Sequence, residues 1–85
     1  MEINGYTLKM TCGACPEQYD VFEGGNYVGY LRLRHGVFRA DAPTHGNTIY
    51  TAYPSGDGIF DDAEREFYLA EAVTAIQRYY ENVLE

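Results

Sequence analysis

The fold is decided by residues 18–41, which read QYDVFEGGNYVGYLRLRHGVFRAD. Three runs rich in Tyr, Val, Leu and Phe are separated there by the pair Gly24-Gly25 and by His35-Gly36. Such runs are typical of β-strands, and residues that tolerate a positive φ close two-residue hairpin turns. The stretch therefore predicts two consecutive hairpins made of three strands: Gln18–Phe22, Tyr27–Arg34 and Val37–Asp41.

The two turns also fix the strand register, because side chains alternate between the two faces of a sheet. Three apolar pairs then stand opposite each other and are predicted to form the core face: Phe22 with Tyr27, Leu33 with Phe38, and Leu31 with Ala40. The other face is predicted to carry two tyrosines and three arginines: Tyr19, Tyr30, Arg32, Arg34 and Arg39.

A helix is predicted from about residue 62 to residue 82. Asp61 is suited to be its N-cap, with Glu64 three residues later completing a capping box. Apolar residues then recur every three or four positions, which is the period of an amphipathic helix. This stripe contains Leu69, Ala72, Val73, Ile76, Tyr80 and Val83.

Two further strands are predicted at Tyr6–Met10 and Thr48–Tyr53, on either side of the hairpins. We therefore predict a single α+β domain over residues 1–85. Its antiparallel meander sheet has four or five strands (about 6–53) and is packed by one C-terminal helix.

The composition excludes several classes of protein. Hydrophobic residues make up 46% and charged residues 22%, which is typical of a globular rather than a disordered chain. Thirteen acidic and six basic residues give a net charge of −7, which opposes non-specific binding to phosphate backbones. No apolar run approaches the roughly 20 residues that cross a bilayer, and the first residues do not resemble a signal peptide. We expect a cytoplasmic protein, monomer or homodimer, without a membrane partner.

Two cysteines lie in the stretch Met10–Cys15, which reads MTCGAC. This stretch resembles the metal-binding loop of heavy-metal-associated domains, the copper and zinc chaperone modules. The resemblance covers six residues and implies that the thiolates of Cys12 and Cys15 bind a soft cation. Pro16 and the strand pattern after it depart from that family, in which a helix begins in the loop.

Three other interpretations of the cysteine pair stay open. A structural zinc site needs four ligands, and His35 and His45 would complete it together with Cys12 and Cys15. A redox dithiol would need its first cysteine at a helix N-terminus, where the thiol pKa falls. The simplest alternative is a tight turn with two reduced thiols and no cofactor.

Residues 56–64, GDGIFDDAE, resemble the second half of an EF-hand calcium loop, with Asp57 and Glu64 at ligand positions. Tyr53 stands where the first carboxylate ligand is needed, so the first half of the loop does not match. Carboxylates that cap the helix explain the same residues without a metal.

The sequence shows no catalytic constellation, and we expect no enzymatic activity. Arginines and Tyr30 on an exposed sheet face would suit nucleic acid, so a basic hairpin face (Tyr30, Arg32, Arg34 and Arg39) is one hypothesis. The net charge makes nucleic acid the weaker choice.

The preferred hypothesis is a protein-binding regulator or inhibitor that meets a basic partner by charge. Residues 57–85 hold eight acids and two bases, and nine tyrosines suit an interface. Small acidic chains of phages and mobile elements are similar in size and charge, and some, such as several anti-CRISPR proteins, imitate nucleic acid. The predicted acidic binding surface consists of Asp61, Asp62, Glu64, Glu66 and Glu71.

Overall fold

A six-stranded antiparallel sheet and one long helix make up the computed structural model, which describes residues 1–12 and 16–84. The elements are β1 (Glu2–Ile3), β2 (Tyr6–Cys12), β3 (Glu17–Glu23), β4 (Asn26–Arg34), β5 (Val37–Asp41), β6 (Thr48–Ala52) and α1 (Asp62–Leu84). Each strand is hydrogen-bonded to its neighbours in the chain, in the order β1 to β6. The α+β class and the antiparallel meander are confirmed. The predicted count of four or five strands is too low, because β1 has only two residues and leaves no alternating pattern to read.

All three predicted apolar pairs form, but a β-bulge changes the face on which one of them lies. Val28 is an extra residue in β4, opposite the step between Val21 and Phe22. The alternation reverses there, so Phe22 and Tyr27 lie together on the outer face, away from α1. Tyr19, predicted on the outer face, instead pairs with Leu31 and is 2% exposed in the core.

The helix covers the inner face of the sheet with the predicted stripe. Leu69, Ala72, Val73 and Ile76 are fully buried against sheet residues such as Leu31. The prediction is wrong for the last residue of the stripe, because Val83 is 60% exposed. Among the described residues, no helix combines the length and the apolar character that crossing a bilayer requires.

Gly29 lies where the sheet and α1 approach each other closely. A Cβ atom at this position would lie 2.8 Å from the Asp41 carbonyl oxygen and 2.8 Å from Cδ1 of Ile76. The glycine inside a predicted strand therefore reflects a close backbone approach.

We expect Gly29→Ala to lower the free energy of unfolding by about 1–3 kcal/mol, the usual cost of overpacking. Ile76→Val alone should cost about 0.5–1.5 kcal/mol. The double variant should lose less than the sum, because valine removes the Cδ1 that the new methyl group meets. Urea unfolding followed by circular dichroism measures all three, and strictly additive losses would contradict the predicted clash.

Candidate functional site

The predicted basic hairpin face lies on the outer face of the sheet, and its tyrosine is covered. The His45 ring, from the loop between β5 and β6, lies edge-on to the Tyr30 ring with 4.5 Å between their centroids. The Tyr30 hydroxyl donates a hydrogen bond to Oε1 of Gln18 at 2.7 Å, and Tyr30 is 8% exposed. A nucleic-acid base could stack on this ring only if the loop moved.

The three arginines of this face differ in how they are engaged. Nε of Arg39 lies 3.4 Å from Oδ2 of the buried Asp41, whose other oxygen accepts a hydrogen bond from the Thr48 hydroxyl at 2.8 Å. Arg32 is half-buried and Arg34 is exposed. Only Arg32 and Arg34 therefore remain available to a ligand among the described residues of this face.

The residues predicted to bind zinc are spread over the fold. Cys12 ends β2 and is half-buried, while Cys15 lies outside the described residues. His35 and His45 stand at opposite ends of β5. Within residues 1–12 and 16–84, no three His, Cys, Asp or Glu side chains come together as metal ligands.

One of the two buried carboxylates among the described residues, besides Asp41, is a residue that the sequence analysis did not single out. Glu17, the first residue of β3, is 1% exposed. Its Oε2 accepts hydrogen bonds from the Tyr19 hydroxyl and from Nε of Arg65, the latter at 2.8 Å. Its Oε1 accepts from the Phe60 N–H at 3.0 Å and from Nη2 of Arg65 at 3.2 Å. This network ties the sheet to the loop before α1 and to the first turn of the helix.

Burial and hydrogen bonding together set the charge state of the Glu17 network. Burial would raise the pKa of Glu17, but hydrogen bonds from Arg65, Tyr19 and the Phe60 N–H lower it below its ordinary value. Burial and the neighbouring Glu17 raise the pKa of Tyr19, so its hydroxyl stays protonated and donates. Both groups are therefore held in one protonation state around neutral pH.

Glu64 has a similar structural role at the helix start. Its carboxylate accepts hydrogen bonds from the backbone N–H groups of Ser55, Gly56 and Asp61 at 2.8–3.0 Å. Burial opposes ionisation, but these three bonds outweigh it and lower the pKa of Glu64. The bond from Asp61 is one half of the predicted capping box. In the other half, the Glu64 N–H binds the Asp61 backbone oxygen instead of its carboxylate.

The structure spreads the predicted acidic binding surface over the start of α1, where Asp61, Asp62 and Glu64 lie, and over two flanks of the helix. Glu64 is occupied as described, and the Asp62 carboxylate lies 2.7 Å from Nη1 of Arg65. Glu66 lies on the β1 side of the helix, in a cavity with Glu2. Glu71 lies on the β6 side, where burial, Glu71 and a neighbouring tyrosine raise the pKa of Tyr50.

A different acidic strip runs along the flank of α1 that faces β1 and β2. It contains two open cavities of about 360 and 450 Å³. Between them, Nε2 of Gln77 donates a hydrogen bond to the Asn4 carbonyl oxygen at 2.8 Å. We call this strip the acidic groove, and its polar lining is Glu2, Asn4 and Glu66 in the first cavity, and Tyr6, Glu23, Gln77, Tyr80 and Glu81 in the second.

Within the described chain, four carboxylates and no basic side chain line the acidic groove, and Met1, which carries the charged N-terminal ammonium group, lines its first cavity. Glu66 and Glu81 are fifteen positions apart on α1, which corresponds to about 22 Å along the helix axis. The sequence analysis included Glu66 in its surface but missed Glu2, Glu23 and Glu81. Residues 66, 70, 77 and 81 are separated by four, seven and four positions, so the sequence alone places them on one side of the helix. Which strands face that side is seen only in the fold.

The sequence matches no protein-family model, and no curated protein or solved structure is significantly similar to it. Function therefore has to be inferred from the chemistry of the chain's own residues.

Proposed function

We propose that this chain is a non-enzymatic binding module, a small acidic regulator or inhibitor, that holds a basic segment of a partner protein in the acidic groove. The observation that supports it is the row of four carboxylates along one helix flank, which outnumber the one lining residue that carries a positive charge, the N-terminal Met1. Glu2 shares one cavity with Glu66, and Glu23 shares the other with Glu81. The like charges within each cavity repel each other, and a basic ligand relieves that repulsion. Proteins whose basic surface otherwise binds nucleic acid belong to the proposed class of partner.

The dimensions of the groove suit an extended chain. A span of about 22 Å along the helix matches about seven residues of an extended segment. The exposed carboxylates of Glu2, Glu23, Glu66 and Glu81 would face its side chains, since none of them is in a described ion pair.

A heptalysine peptide is the probe for this proposal. We expect binding that can be followed by two-dimensional NMR, with signal changes in residues 2–4, 66–70 and 77–81. The affinity should fall steeply as salt is added, because exposed charges are screened over about 10 Å at 0.1 M ionic strength.

The double variant Glu66→Lys/Glu81→Lys should weaken heptalysine binding at least about tenfold, since it converts two attractive contacts into repulsive ones. The matched control is Asp61→Lys/Glu71→Lys, which changes the net charge equally but at exposed positions outside the acidic groove. Equal losses of heptalysine affinity in the two double variants would show that binding depends on the net charge of the protein alone. That result, or the absence of peptide binding at low salt, would refute the proposed function.

A further inference from the structure

One end of the acidic groove is a pocket with aromatic walls and several hydrogen-bond acceptors. Tyr6 from β2, Glu23 from β3, and Gln77, Tyr80 and Glu81 from α1 line it. The Tyr80 hydroxyl donates a hydrogen bond to the Val28 carbonyl oxygen at 2.8 Å, which anchors the ring. Gln77 uses its amide nitrogen on the Asn4 carbonyl, so its carbonyl oxygen remains available as an acceptor.

Tyr6 is the unusual member of this pocket. The residue is 4% exposed, and its hydroxyl makes no hydrogen bond within the described chain, but the oxygen itself is not fully buried, since Nε of Arg39 is the one fully buried side-chain nitrogen or oxygen without a partner there. Burial, followed by Glu23, Tyr80 and Glu81, raises the pKa of Tyr6, so the hydroxyl is protonated and lies near both carboxylates. An unpartnered polar group therefore lines a pocket whose charge is negative.

We propose that this pocket takes the ammonium group of one lysine side chain from the partner's basic segment. The inference rests on the proposed function and assigns one subsite within the acidic groove. Glu23 and Glu81 would supply the opposite charge, and the Tyr6 oxygen would accept a hydrogen bond. The rings of Tyr6 and Tyr80 would contact the aliphatic stem of the lysine.

Lysine is favoured over arginine by the way the acceptors are distributed. They come from four separate side chains on three elements, Tyr6, Glu23, Gln77 and Glu81. An ammonium group is a compact charge with three donors that can point in different directions. A guanidinium group is a planar fork that is best matched by one carboxylate in its own plane. Aromatic rings beside the carboxylates stabilise an organic cation further.

The test compares heptalysine binding by the full chain and by Tyr6→Phe. We expect the variant to bind about tenfold more weakly, since a hydrogen bond to a charged group is lost. Its thermal midpoint should stay that of the parent protein, because the Tyr6 hydroxyl makes no described intramolecular bond. Tyr50→Phe is the matched control, the same chemical change at a half-buried tyrosine beside Glu71 and outside the acidic groove, and it should bind like the parent.

The outcomes separate this subsite from the proposed function. Unchanged heptalysine affinity in Tyr6→Phe would overturn the lysine pocket while leaving the binding groove in place. An equal loss of heptaarginine affinity in Tyr6→Phe would overturn the assignment to lysine. Cadaverine that bound as tightly as the peptide and with the same dependence on Tyr6 would identify a pocket for free amines instead. No heptalysine binding by the parent protein would refute the proposed function itself.

Discussion

Arg65→Ala is expected to lower the free energy of unfolding by about 3–5 kcal/mol, because it leaves the buried Glu17 carboxylate without its cationic partner. Arg65 contributes two of the four hydrogen bonds that Glu17 accepts, at 2.8 and 3.2 Å. A small domain is stable by about 5–15 kcal/mol in total, so the loss is a large fraction. Urea unfolding at pH 7 measures it. The matched control is Arg78→Ala on the exposed side of the same helix, which should change stability by no more than about 0.5 kcal/mol.

The loss of unfolding free energy caused by Arg65→Ala is expected to depend on pH. In the parent protein the pKa of Glu17 is lowered on folding, despite burial, by its hydrogen bonds. Its stabilising contribution is therefore present above the unfolded-state pKa, about 4.3, and is lost as the pH falls through the folded-state pKa. Without Arg65, burial dominates and favours the protonated acid. The difference in stability between variant and parent should therefore narrow as the pH is lowered from 7 towards 4. A difference that stays constant over this range would contradict the assigned role of Glu17.

Phe38→Ala is expected to cost about 3–5 kcal/mol, the usual range for removing a buried phenylalanine. Phe38 is fully buried and lies at the centre of an aromatic cluster. Its ring centroid is 4.9 Å from that of Phe60, 6.2 Å from that of Tyr50 and 6.3 Å from that of Tyr68. The cavity would weaken the packing of β5 against three neighbours, which are β6, the loop before α1 and the helix itself.

Thermal unfolding is the simplest measurement for Phe38→Ala. For a domain of this size, each 1 kcal/mol lowers the Tm by about 4–8 °C. Phe67→Ala is the control, because Phe67 contacts Tyr68 but is 60% exposed. A Tm shift as small as that of the control would show that the cluster closes over the cavity or does not hold the core.

The sequence predicted the parts of the fold that local patterns determine. The helix start at Asp62 follows from the cap residues around it, and the strand ends follow from glycine turns. The bulge at Val28 was missed because the hairpin turn at Gly24-Gly25 is compatible with an unbroken ladder. Gly29 was the available signal, since a glycine inside a strand often marks a bulge or a close approach.

The interior carboxylate and the acidic groove were missed for a different reason. Glu17 stands in a strand and meets Arg65, 48 residues later, and neither residue carries a local motif that indicates the other. Glu23 and Glu81 share a pocket only because the β3–β4 turn and the end of α1 lie on the same side of the molecule. A single sequence does not show which distant residues share a pocket. The number of acidic residues in the C-terminal segment favoured Glu71, which lies on the opposite flank of α1.

The meander order of the strands has a consequence for how the chain forms its structure during synthesis. Every pair of hydrogen-bonded strands is also adjacent in the chain, so each pairing closes only a short loop and has a small entropic cost. The hairpins can therefore assemble one after another as the chain leaves the ribosome. The helix follows all six strands, and until it has been made the inner side chains of Leu8, Val21 and Leu31 have no cover. Until α1 docks, this apolar face of the sheet is exposed, and exposed apolar surface of this kind favours aggregation.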